Sequence, residues 1–137
     1  MRINKVLKII ILILWMLVIF LLSNQTGSES TGLSDNFINN TICLNISNCN
    51  PEVYSFIVRK TAHFLLYFIL GIFSVMNFKN DREGVINALI VCIIYAFFDE
   101  IHQMFISNRS GEFRDILIDI VGSLSSILLF YKIRKRD

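Results

Sequence analysis

The sequence predicts an all-α integral membrane protein of four transmembrane helices, with both termini cytoplasmic and a polar cluster at the extracytoplasmic end. Three observations carry that prediction. Hydrophobic residues make up 54% of the 137 residues, more than the roughly 45–50% of a soluble domain, and they fall in long runs. The basic residues gather beside those runs, as Arg2, Lys5 and Lys8, then Lys79 and Arg82, then Lys132, Arg134, Lys135 and Arg136. Between two apolar segments lies the polar stretch Asp99–Asp119, DEIHQMFISNRSGEFRDILID. A charged side chain at mid-bilayer costs roughly 2.5–3.5 kcal/mol on insertion scales, so it is normally paired and often has a task.

The first run, Ile9–Leu22, follows a basic N-terminus. A signal peptide would share this pattern, but the residues after it, Ser23–Ser28, offer no clean small-x-small cleavage site, which favours a retained anchor helix over residues 6–22. The loop from Ser23 to Asn50 holds no Lys or Arg, as an exported loop should. Leu33, Phe37, Ile38 and Ile42 recur there at nearly helical spacing, suggesting a short helix on the membrane surface; a disordered loop is the alternative. Cys43 and Cys49 in the same loop are either a small disulfide or two free thiols, whereas Cys92 lies within an apolar segment and reads as packing.

Asn50-Pro51-Glu52 reads as an N-cap, a first-turn proline and a first-turn acid, which starts a second helix over residues 51–78. A basic turn at Lys79–Glu83 leads to a third helix over 85–105. Ile106–Glu112 is a tight outer loop, and a fourth helix spans 113–131 before the basic tail. The whole chain, 1–137, is thus expected to be one membrane domain. Nine of the thirteen basic residues then fall on the cytoplasmic side, as the positive-inside rule requires. The exceptions, Arg59, Lys60, Arg109 and Arg114, face a side that holds eight of the eleven acids. Each basic cluster abuts an apolar run, so membrane topology explains the clusters and nucleic acid is excluded as a partner.

At a rise of about 1.5 Å per residue, His63, Asp99 and Asp119 all lie roughly 9 Å below the outer surface. The faces agree with the depths. Lys60, His63, Tyr67, Gly71 and Ser74 follow helical spacing on the second helix; Ala88, Cys92, Ala96, Asp99 and Gln103 do so on the third. Asp115, Asp119, Gly122 and Ser126 form the stripe on the fourth. Small residues let membrane helices approach, and buried polar groups face other helices rather than lipid.

Three chemistries fit this mouth. One is an ion-pair network that only locks helices together, with Arg59 and Lys60 neutralising Asp99, Glu100, Asp115 and Asp119. The second is a ligand or catalytic site. The third is a metal held by His63, Asp99, Glu100 and His102, although no HExxH or paired ExxH pattern accompanies them. No serine-nucleophile motif, phosphate-binding glycine loop or CxxC is present, so the sequence names no cofactor and commits to no metal.

Arg59-Lys60-x-x-His63 with Tyr67, then Asp99-Glu100-x-x-Gln103, Arg109, and Asp115-x-x-x-Asp119 with Gly122 resemble the VanZ-like family of small bacterial membrane proteins. Ser23-Asn24-Gln25 with Ser28 and Ser30 resembles that family's Ser/Gln-rich motif after the first helix. Two positions depart from the pattern: Ser107-Asn108 stand where Pro-Gly is frequent, and Asp119 where Asn is frequent. The resemblance implies a multi-pass plasma-membrane protein of the cell envelope and, through the family's namesake, a link to teicoplanin resistance. It implies no reaction.

Two functional classes follow. In one, the pocket binds an amphiphile such as a membrane lipid, a lipid-linked envelope precursor or a lipoglycopeptide. Arg59, Lys60 and Arg109 would hold its anionic groups, within a wider site of His63, Tyr67, Asp99, Glu100, Gln103, Asp115 and Asp119. In the other, the pocket is an enzyme for such a substrate, with Asp99 or Glu100 as base and His63 or His102 as acid/base partner, in phosphoryl or acyl chemistry. A transporter fits less well, because no polar stripe continues through the cytoplasmic half.

Overall fold

A computed structural model describes residues 4–26, 31–36, 38, 50–108 and 111–135. The sequence forms four long helices: α1 (Lys5–Ser23), α2 (Pro51–Val75), α3 (Arg82–Gln103) and α4 (Phe113–Arg134). Each is long and apolar enough to cross a membrane. Residues 31–36 are also helical, and no strand occurs among the described residues. Leu33 in that segment is exposed and Ile38 fully buried. Phe37, Ile42, Cys43 and Cys49 lie outside the described residues, and so does the expected choice between a disulfide and two free thiols; of the expected surface helix, residues 31–36 are helical.

The helix ends follow local chemistry. Asn50 accepts a hydrogen bond from the Glu52 amide (3.2 Å) and Pro51 follows it, so α2 starts where its signals placed it. It ends three residues before the expected Phe78, where the Asn77 amide reaches back to the Phe73 carbonyl at 2.8 Å. The next helix starts earlier than expected, at Arg82, because Asp81 caps it by accepting from the Gly84 amide at 2.7 Å. Asp81 thus belongs to the helix start and not to the turn expected over Lys79–Glu83, since an acid whose side chain accepts from an amide three residues on is an N-cap.

α2 and α4 make the most extensive contact, α3 packs on both, and α1 lies against α2 and α3. The α2–α4 approach needs glycine. A Cβ at Gly122 would stand 2.5 Å from the Phe64 carbonyl oxygen, and one at Gly71 would stand 2.6 Å from that of Ser123. Small hydroxyls close the remaining gaps against backbone: Ser123 donates to the Tyr67 carbonyl (3.3 Å) and Ser74 to that of Ala88 (3.1 Å). Tyr67, Leu70, Ala88, Cys92, Ala96 and Ile127 form the buried core between these helices.

The outside is apolar. Ile94 is 64% exposed, and Ile13, Leu14, Leu129 and Ile133 are similarly bare. Backbone polar groups are satisfied within the helices, leaving an apolar sheath suited to hydrocarbon rather than water.

Candidate functional site

The stripes read from the sequence meet at one end of the bundle, where α1 and α3 end and α2 and α4 begin. A cavity of about 290 Å³ lies there, lined from α1 by Ile19, Leu22 and Ser23, and from α2 by Phe56, Arg59, Lys60, His63, Leu66 and Tyr67. Asp99 and Gln103 of α3, Asp115 of α4, and Gln25, Thr31, Asn108 and Glu112 complete it.

Its charges are paired selectively. The Lys60 ammonium lies 2.5 Å from Asp115 and 2.9 Å from Glu112, and 5.0 Å over the Phe56 ring. Lys60 is therefore already neutralised by two carboxylates. Glu112 stands at the N-cap of α4, and its hydrogen bond from Lys60 holds its carboxyl below the usual carboxylate range. Arg59 makes a different contact: its guanidinium donates to the Thr31 hydroxyl at 3.0 Å. Among the described residues no carboxylate pairs with Arg59. This corrects the expectation that Arg59 and Lys60 together neutralise Asp99, Glu100, Asp115 and Asp119. One turn beyond Lys60 along α2, His63 takes the next acid.

His63 Nδ1 lies 3.2 Å from Asp119 Oδ1, and Asp119 is fully buried. A carboxylate on one ring nitrogen fixes the ring's orientation and leaves Nε2 as the nitrogen free for a ligand. On α3, Gln103 donates to Asp99 Oδ2 at 3.1 Å and approaches the Ser23 hydroxyl at 3.4 Å, tying α1 to α3 at the cavity wall. Tyr67 is 1% exposed, and its hydroxyl has no hydrogen-bond partner among the described residues.

Two of the residues singled out from sequence are displaced from the cavity. Glu100 is buried and accepts a hydrogen bond from the Glu112 amide, so it organises the turn into α4 instead of edging the pocket. His102 packs on Phe20 of α1, ring centroids 4.4 Å apart. Glu100 sits about 100° around α3 from Asp99, off the shared face, whereas His102, about 60° away on the other side, is turned onto α1 by its packing with Phe20. The metal set His63, Asp99, Glu100 and His102 thus does not converge, and no group of three metal-ligating side chains occurs among the described residues. Arg109 lies outside the described residues.

Sequence reasoning missed Glu112, Thr31, Phe56 and the α1 wall. Glu112 was legible: it precedes Asp115 by three residues, a spacing that puts both on the face reached by Lys60. Thr31 was not, because it comes from a separate segment. Asn108, where the resembled family often has Gly, has φ 58°. Asn tolerates that left-handed conformation better than other non-glycine residues, so this departure keeps the turn.

Neither a curated protein nor a solved structure matches the chain. A family model described as VanZ/LLP1 matches residues 8–134, from α1 through the end of α4. The four membrane-length helices and their shared polar end are accordingly the body of the matched region, and the chain belongs to the VanZ/LLP1 family.

Proposed function

We propose that this VanZ-like membrane protein binds an anionic amphiphile at the outer leaflet of the plasma membrane and so contributes to protection against teicoplanin-type glycopeptides. The observation that carries the binding reading is the contrast between two adjacent cations. Lys60 is spent on Asp115 and Glu112, whereas Arg59 lines the same cavity with only a neutral hydroxyl partner among the described residues. A guanidinium in that setting suits bidentate capture of a phosphate or carboxylate. Phe56, Leu66 and Leu22 beside it supply apolar surface for the rest of an amphiphile. The namesake's teicoplanin link gives the envelope context.

The test is native mass spectrometry of the chain released from membranes, comparing wild type with Arg59→Gln. Retained anionic lipids or lipid-linked precursors in wild type, lost in the variant alongside glycopeptide protection, are expected. Equal retention of anionic and zwitterionic lipids by both proteins would overturn the reading.

A second reading, a membrane enzyme acting on such an amphiphile, is favoured by one observation. The His63–Asp119 pair presents an oriented imidazole to a cavity that also holds Asp99, the arrangement an acid/base catalyst needs. In this reading His63 is the acid/base group and Asp119 positions it. Asp99 is the remaining candidate base. Turnover of a lipid substrate by purified wild type but not by His63→Gln would establish it.

A further inference from the structure

Along α1 the neighbours change. Over its first part it is tied to α2 and to the turn that follows α2: the Asn77 amide in that turn donates to the Lys8 carbonyl at 3.3 Å, and the Trp15 indole donates to the Leu66 carbonyl of α2 at 3.0 Å. Past Trp15 it is tied to α3. The Tyr95 hydroxyl donates to the Met16 carbonyl at 2.5 Å, Phe20 packs on His102, and Gln103 approaches Ser23. The last two turns of α1 therefore lean on α3, and a wedge separates them from the first turns of α2.

The cavity fills that wedge. Leu22 of α1 and Phe56 of α2 both line it, yet are 42% and 45% exposed, so apolar side chains of the cavity wall also belong to the outer sheath. Arg59 stands one turn along α2 from Phe56, within the cavity. A site for a water-delivered anion has no need of an apolar side opening, whereas an amphiphile anchored in hydrocarbon needs one for its chain.

Resting on the binding reading above, we propose that the seam between α1 and α2 is a lateral portal. The hydrocarbon chain of the ligand lies between Leu22 and Phe56 while its anionic headgroup meets Arg59. The ligand class is then a membrane-resident anionic lipid that enters from the bilayer, not a solute or an antibiotic captured from the aqueous phase.

Photolabelling tests this directly. The full chain is reconstituted in phosphatidylcholine vesicles containing a small fraction of phosphatidic acid with a diazirine in its acyl chain, and labelled residues are mapped. Ile94 and Leu129, exposed apolar residues that do not line the cavity, report ordinary surrounding lipid. Labelling at Leu22 and Phe56 is expected to exceed theirs by about tenfold, the scale of one charge-assisted contact. Arg59→Gln should return the seam to that background, and Leu22→Trp, which fills the wedge but keeps Arg59, should do the same. Uniform labelling at all four positions in wild type would overturn the portal.

A second probe separates the two proposals. Dihexanoyl phosphatidic acid below its micellar concentration offers the headgroup with almost no chain. If it stabilises wild type against heat but not Arg59→Gln, while the seam shows only background labelling, the headgroup site stands and the portal is wrong. If it gives no such stabilisation and the seam is not labelled, both proposals fall.

Discussion

Lys60 on α2 and Asp115 on α4 meet at 2.5 Å with little of either side chain exposed. Removing one partner leaves the other charge buried and uncompensated, which costs about 3–5 kcal/mol in a fully buried pair and less where some exposure remains. Lys60→Gln and Asp115→Asn should each destabilise the bundle. The double variant should fall short of their sum by about 1–3 kcal/mol. Reversible unfolding in mixed micelles reads all four corners of the cycle; strict additivity would refute the pairing. The pairs expected from sequence, Arg59 with Asp99 and with Glu100, are not ones this geometry supports.

Gly122 tests the helix contact beneath the cavity. Its Cβ would press on the backbone oxygen of Phe64, and backbone cannot swing aside as a side chain does. Gly122→Ala should cost about 1–3 kcal/mol, as overpacking does. A neutral melting temperature in detergent would mean that α2 and α4 sit further apart.

Glu100 separates a scaffold role from a pocket role. Glu100→Gln keeps an acceptor for the Glu112 amide and should fold nearly as wild type, whereas Glu100→Ala leaves that amide unsatisfied at about 1–3 kcal/mol. Because Glu100 does not line the cavity, loss of any envelope phenotype should follow loss of folded protein. Complete loss of protection in a stable Glu100→Gln protein would restore it to the site.

The Glu112 carboxyl is lowered in the folded protein by Lys60, from an ordinary value of 4.5. A lowered acid contributes stability in full above its unfolded value, and the contribution disappears as pH falls through the folded value. Glu112 is nearly half exposed, so solvent and salt screen the effect and it is small. The expected signature is a melting temperature that falls more steeply from about pH 5 to 3 in wild type than in Glu112→Gln. The gap between the two curves should narrow in high salt. Parallel curves would show that the ion pair is not made in solution.

Topology rests on the basic clusters. In a background with Cys43, Cys49 and Cys92 replaced, Ser107→Cys should react with an impermeant thiol reagent added to whole cells, and Lys79→Cys should not. Both positions are exposed, so reactivity reports the side of the membrane. The reverse pattern would place the cavity in the inner leaflet and overturn the outer-leaflet proposal.

Sequence alone determined the helices and the faces that meet. Predominantly apolar segments about twenty residues long admit little but spanning helices, because hydrocarbon leaves backbone polar groups no partner outside the helix. Helical spacing then puts Lys60, His63 and Tyr67 on one stripe, and Asp99 with Gln103 on another, whatever the tertiary arrangement. Which acid meets which base was decided only by packing. Lys60 rather than Arg59 takes Asp115, because the close α2–α4 contact at Gly122 and Gly71 sets the register and rotation of the two helices. Glu100, one residue from Asp99, is turned away to hold the Glu112 amide. The wedge between α1 and α2 exists because Tyr95 and Gln103 draw the end of α1 toward α3. Spacing along one helix cannot encode such relations, since they depend on the rotation and tilt of neighbours far away in sequence.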